Sequence, residues 1–165
     1  MFKIGEYVIY KRDLCKVKEI VERNDKKYYR LTPKEDESLI INVPIDNKTN
    51  YLRYPISKEK AEELIKKIPS IEEINTNEKL MGNEYRNLMK TNTHEDLIKI
   101  IKTTYLRNEY RKMNGKKEAD KDLTYFNKAE NYLYNELSIS LGMSYQDCKK
   151  YIISKLSIDD KKSIK

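Results

Sequence analysis

The sequence predicts an α+β chain, a small antiparallel β barrel followed by an all-helical bundle. Up to residue 56, short β-branched and aromatic runs alternate with polar turns; from residue 57, apolar residues recur at helical spacing. Strands and helices are segregated, without the β–α alternation of a parallel sheet. Of the 165 residues, 38% are hydrophobic and 37% charged, which favours two thin cores over one thick one.

Tyr7-Val8-Ile9-Tyr10 reads as the first strand, and Cys15 to Ile20, mostly alternating, as the second. Asn24 to Lys27 is a polar turn before Tyr28-Tyr29-Arg30-Leu31. Pro33 to Ser38 is another, before Leu39 to Val43, which Pro44 stops. Tyr51-Leu52-Arg53 is a last short strand. Ser57 is suited to cap a helix with Ala61, Leu64, Ile65 and Ile68 on one face, ended by Pro69. A second helix carries Leu80, Met81, Tyr85, Leu88 and Met89. Thr93-His94-Glu95-Asp96 resembles a capping box ahead of Leu97, Ile98, Ile101 and Tyr105, with Gly115 as the stop. Asp122 is suited to open a fourth helix with Phe126, Ala129, Leu133, Leu137 and Leu141 inward and Gly142 at its end. Ser144 starts a fifth, with Cys148, Ile152 and Leu156 on one stripe. The expected organisation is a β domain at 1–56, a helical domain at 57–157 and a frayed tail at 158–165.

The residue inventory argues against catalysis. The four glycines stand singly, so no phosphate loop forms, and one histidine with two distant cysteines offers too few ligands for zinc. His94 reads as an exposed residue of a helix's first turn, and Cys15 and Cys148 as small buried hydrophobes. No run reaches the roughly 18 apolar residues of a membrane span, and the first residues lack a signal-peptide core, so a cytoplasmic protein is expected. No enzyme activity, metal or cofactor is expected. What remains are surfaces. The net charge is +7, with 27 lysines and 7 arginines. Lys99, Lys102, Arg107 and Arg111 line the third helix, and Lys112, Lys116, Lys117 and Lys121 crowd its exit, where they could contact nucleic-acid phosphates. The plainer alternative is a solvated face in a lysine-rich protein. Tyr28-Tyr29 offers a possible partner groove, and most of the fourteen tyrosines are expected to close small cores.

Phe2 to Tyr10, an aromatic, an aliphatic and Gly5 ahead of a strand ending in tyrosine, resembles the opening of the CarD family of bacterial transcription regulators. Leu14 to Val17 with Ile20, Tyr28 to Leu31, Ile40 to Pro44 with Asn47, and Leu52-Arg53 are similar to its following strands. Ser57 to Ala61, Asp96 to Thr103, Gly115-Lys116-Lys117, Lys128-Ala129-Glu130 and Leu133 to Leu137 with Leu141-Gly142 are similar to its helical half. The resemblance covers about residues 1–156 in order. It implies a Tudor-like β domain that binds the β subunit of RNA polymerase, with Arg23, Ile41, Asn42 and Val43 at the contact. It also implies a helical domain that touches promoter DNA and alters open-complex stability. Well-studied members insert a tryptophan into the minor groove, but this chain has none, and Asn77 or Glu78 stands there. DNA contact is then expected through Lys99, Lys102, Arg107, Arg111, Lys116, Lys117 and Lys121, mainly to the phosphate backbone. The function expected is a monomeric, non-enzymatic transcription regulator. The alternative is a polymerase-independent RNA- or DNA-binding module.

Overall fold

The computed structural model describes residues 1–91 and 93–163, with side chains to Leu156. It is α+β and divides into two compact units, Met1–Ile56 and Ser57–Lys165.

The first unit is a five-stranded antiparallel sheet: β1 (Tyr7–Tyr10), β2 (Asp13–Arg23), β3 (Lys26–Pro33), β4 (Ile41–Pro44) and β5 (Leu52–Arg53), in the order β4-β3-β2-β1-β5. β4 and β5 lie at opposite edges, so the sheet is open where a barrel was expected. The β2–β3 hairpin is longer than the sequence pattern indicates. Its turn is Asn24-Asp25 alone, with both φ values positive, and Arg23 pairs with Lys26. A bulge between Val17 and Glu19 resets the pleat: Cys15 and Val17 face the core before it, and beyond it Ile20 pairs with buried Tyr29 on the same face, though it stays 37% exposed. The core is Val8, Cys15, Val17, Tyr29, Leu31, Val43 and Leu52, with Phe2 and Tyr10 packed against it. Burial holds the Cys15 thiol up at about 12, so it remains a protonated, apolar side chain. Tyr29 is buried, accepting from the Phe2 backbone N–H through its hydroxyl (3.1 Å), and offers no partner groove.

Asn47 takes over the pairing that the chain between β4 and β5 lacks. Its amide donates to Leu52 C=O (2.8 Å) and accepts from Leu52 N–H (3.3 Å), as an opposing peptide would. Its φ of 49° is the left-handed conformation that asparagine tolerates.

The second unit contains α1 (Lys58–Lys67), a 3-10 turn (Ile68–Ser70), α2 (Glu78–Lys90), α3 (His94–Met113), α4 (Asp120–Leu141) and α5 (Tyr145–Ser163). Of the expected tail at 158–165, the backbone helix continues to Ser163 and the remainder lies outside the described residues. Ser57, Asn77 and Thr93 accept N-cap hydrogen bonds from Lys60, Leu80 and Asp96, and Gly142 closes α4 with φ 66°. The core includes Ile65, Ile98, Ile101, Leu133, Leu137, Cys148, Ile152 and Leu156; Leu80, expected inward, is about half exposed. Two expectations are corrected. His94 is not a free first-turn residue, because its Nε2 meets Oε1 of buried Glu136 at 2.9 Å. Asp122 does not open α4, which starts at Asp120; its carboxyl is buried.

Glu130 on α4 is also buried, with Lys149 of α5 at 3.4 Å. Desolvation raises its carboxyl above the ordinary 4.5, and Lys149 only partly offsets this. A folded-state pKa raised in this way penalises folding at neutral pH, and the penalty vanishes where both states are protonated. Glu130→Gln should therefore raise the denaturant midpoint at neutral pH and match wild type below pH 4.5; a lower midpoint at neutral pH would contradict this. Asn47→Ala should cost the β unit about 2 kcal/mol, through two missing hydrogen bonds and a left-handed alanine. Asn47→Asp, which keeps only the acceptor, should fall between it and wild type in the same denaturant titration.

Candidate functional site

In the β unit the candidate contact is the β4 edge. Ile41 to Pro44 pair with Leu31 to Tyr28 on one side only. Ile45 N–H bonds Lys27 C=O at 3.0 Å, and hydrogen-bonded pairs alternate along an antiparallel ladder. Val43 and Ile41 therefore bond inward to β3, and the Asn42 N–H and C=O point outward. Asn42 is exposed, Ile41 half-buried, and Val43 a core residue opposite Tyr29. Val43 thus supports the edge from behind and offers no side chain to a partner. Arg23 is exposed at the tip of the β2–β3 hairpin.

In the helical unit the seven expected phosphate contacts separate into Lys102 and Arg107, held by bonds within the unit, the four at the α3 exit, and Lys99 apart from both. Lys102 is a correction: it is 3% exposed, and its Nζ donates to the carbonyls of Ile68 (3.0 Å) and Ile71 (2.8 Å), with Pro69 at 3.5 Å. It caps the C-terminal end of α1 and its 3-10 turn, where orphan carbonyls need donors and the helix dipole favours a cation. Thr103 beside it accepts from Ile74 N–H (2.9 Å), fixing the chain on its way to α2.

Arg107 is a second correction. Its Nε donates to Asp122 Oδ2 at 2.8 Å and its Nη2 to Glu78 Oε1 at 2.7 Å, while Tyr85 Oη donates to Asp122 Oδ1 at 2.8 Å. Burial works against the Arg107 charge, but the hydrogen bonds to Asp122 and Glu78 outweigh it and push the guanidinium pKa up. Burial, then Asp122, pushes the Tyr85 phenol up as well, keeping it a donor. Asn77 and Glu78, which stand where the resemblance expects a groove-inserting tryptophan, are occupied as helix cap and Arg107 partner.

Arg111, Lys116, Lys117 and Lys121 remain at the α3 exit. None makes an ion pair or side-chain hydrogen bond among the described residues; Arg111 is half-buried and the lysines are exposed. Lys121 lays its stem over Gly82 of α2, where an added Cβ would meet Lys121 Nζ at 3.1 Å. Lys112 is held by Glu109 at 3.8 Å. Lys99 is half-buried and twelve residues back along α3, about 18 Å from Arg111, so it is not part of this group. Arg111 and Lys116 share a cleft of about 400 Å³ with Glu73, Glu78, Leu106, Arg107 and Tyr110. Tyr110 and Met113, the most exposed large apolar residues of the helical unit among the described residues, stand beside these cations and are not among the residues the sequence singles out. Their signal was two apolar side chains in the last turn of α3 beyond its apolar stripe.

Among the described residues no three His, Cys, Asp or Glu side chains are gathered to hold a metal, and no helix is long and apolar enough to cross a membrane. No protein-family model matches this sequence, and no curated protein does either.

The two groups of cations should behave differently on truncation. Lys102→Ala leaves buried carbonyls without a donor and should cost about 3 kcal/mol or more of helical-unit stability, by circular dichroism at 222 nm. Lys116→Ala with Lys117→Ala should leave stability within about 0.5 kcal/mol of wild type.

Proposed function

We propose that this chain is a non-enzymatic transcription regulator that works as CarD-family proteins do. In this reading the β unit is a Tudor-like domain docking on the β subunit of RNA polymerase, and the helical unit contacts promoter DNA through its phosphates, modulating open-complex stability. The protein acts in the cytoplasm, as a monomer. The observation that carries the reading is the free β4 edge, with the Asn42 N–H and C=O directed away from the sheet. Such an edge is the template for strand addition, in which a partner's strand supplies the missing hydrogen bonds. The five antiparallel strands and the bulge in β2, which bends the sheet, support the Tudor-like assignment. On the helical side, the unpaired Arg111, Lys116, Lys117 and Lys121 support phosphate contact, each adding salt dependence to a weak, sequence-tolerant grip. The second reading, a polymerase-independent nucleic-acid module, is favoured by that cation cluster taken alone.

The test pairs one variant on each unit of the full-length chain. Asn42→Pro removes an outward donor and leaves the inward ladder to β3 intact, so it should fold and lose most polymerase β-subunit affinity in a pull-down. Lys116→Ala with Lys117→Ala should keep polymerase binding and shorten the open-complex lifetime. It should also lower the salt slope of DNA binding by about one for each phosphate that is no longer neutralised. Unchanged polymerase affinity in folded Asn42→Pro removes this docking edge, and identical open-complex lifetimes reduce the lysines to a solvated surface.

A further inference from the structure

We propose that the cavity between α3, α4 and α5 is a binding site for a small uncharged aromatic molecule carrying an N–H, of the indole kind, held by its ring faces and by one hydrogen bond to Asn108. The inference goes beyond the reading of the chain as a transcription regulator and does not depend on it.

Volume and wall chemistry are the first observation. Three helices of the second unit converge on a cavity of about 220 Å³. A dry cavity of about 150 Å³ already admits benzene, so this one has room for a fused or singly substituted ring. Its apolar walls are Tyr105 of α3, Leu123 and Phe126 of α4, and Ile153 of α5. They are poorly covered: Leu123 is 40% exposed, and the other three are half-buried. Phe126 belongs by helical spacing to the stripe of Ala129, Leu133 and Leu137, all of which are buried. It is less covered than they are because it borders the cavity.

The second observation is an orphaned acceptor in the same wall. Asn108 lines the cavity, and its Nδ2 donates to Glu118 Oε1 at 3.1 Å. Its Oδ1 is buried and accepts no hydrogen bond among the described residues. A buried carbonyl oxygen in that state carries a cost that a donor relieves. Other polar groups around the cavity are already engaged. Asp122 accepts from Tyr85 and Arg107, Lys149 lies 3.4 Å from Glu130, and Lys112 lies 3.8 Å from Glu109.

These engagements select the ligand. An anion meets Glu109 and Glu118, while both lysines are shared with carboxylates, so negative charge is disfavoured. A cation gains Glu118 only at the exposed rim and sheds its hydration against the apolar walls. What fits the interior is a flat apolar body with a single donor. The rings of Tyr105 and Phe126 cover its surface, and Asn108 Oδ1 orients it.

The test uses indole with the full-length chain, which has no tryptophan, so indole fluorescence excited beyond the tyrosine band reports binding directly. Indole should bind saturably, with a rise in anisotropy and a Kd on the order of 0.1–1 mM. Benzofuran, the same shape with oxygen in place of the N–H, should displace indole only at roughly tenfold higher concentration. Asn108→Leu should weaken indole binding about tenfold and leave benzofuran binding unchanged. Ile153→Phe, which fills the cavity from α5, should abolish binding of both, with circular dichroism confirming the fold of each variant. No saturable indole binding to wild type, or binding that survives folded Ile153→Phe, overturns the site. Equal affinities of wild type for indole and benzofuran overturn recognition of the N–H, whether or not the variants fold.

Discussion

Asp122, with its carboxyl group nearly cut off from water, dictates how three helices meet. A carboxylate in that position needs donors on every side it shows, and here Tyr85 comes from α2 and Arg107 from α3. Arg107 then reaches Glu78 at the start of α2, closing the set. The same constraint recurs wherever apolar material runs short. Lys102 fills a place between α3 and the 3-10 turn that a shorter residue would leave with bare carbonyls, and Glu136 accepts the His94 ring contact from α4. A core closed by charged groups is specific in register, because removing one partner strands the other. This sets which cations remain without an ion pair among the described residues: Lys102 and Arg107, facing the neighbours of α3, are consumed, whereas Arg111, Lys116, Lys117 and Lys121 at its exit are not.

Most of the elements were legible because their signals are local. Ser57 and Thr93 are caps by residue type and position, Gly142 ends α4 by its tolerance of positive φ, and the Cys148, Ile152 and Leu156 stripe is plain helical spacing. The misreadings that bear on the candidate sites are non-local. Asp122 looks like a helix opener because acids favour first turns; that its carboxyl meets residues 37 and 15 positions earlier leaves no trace in neighbouring sequence. Lys102 and Arg107 resemble surface cations for the same reason, since charge at i and i+5 says nothing about whose carbonyl or carboxylate lies opposite. The barrel was expected from strand number and spacing, but closure depends on the pairing partners of β4 and β5, which strand propensity does not encode. The bulge after Val17 is likewise a register event: it brings Ile20 opposite Tyr29, where unbroken alternation from Val17 would turn it to the other face. On the β side the strand carrying Ile41, Asn42 and Val43 was legible; which way each peptide points was not, until one ladder hydrogen bond fixed the parity.

The two surfaces that emerge are both built to be weak alone. An edge with one outward-facing residue flanked by Pro44, which has no N–H, offers few hydrogen bonds to a strand. Four unpaired cations supply phosphate contacts that fade as salt rises. Their value comes from the covalent chain: once one surface is engaged, the second binds at an effective concentration set by the linkage, without any new contact. On the proposed reading, weakness is then a functional property. A patch that bound DNA tightly by itself would be captured by the excess of non-specific sites in a chromosome. On the proposed reading, sequestering Lys102 and Arg107 in the helical core would keep the free charge at the α3 exit low enough for occupancy to follow a partner at the β4 edge.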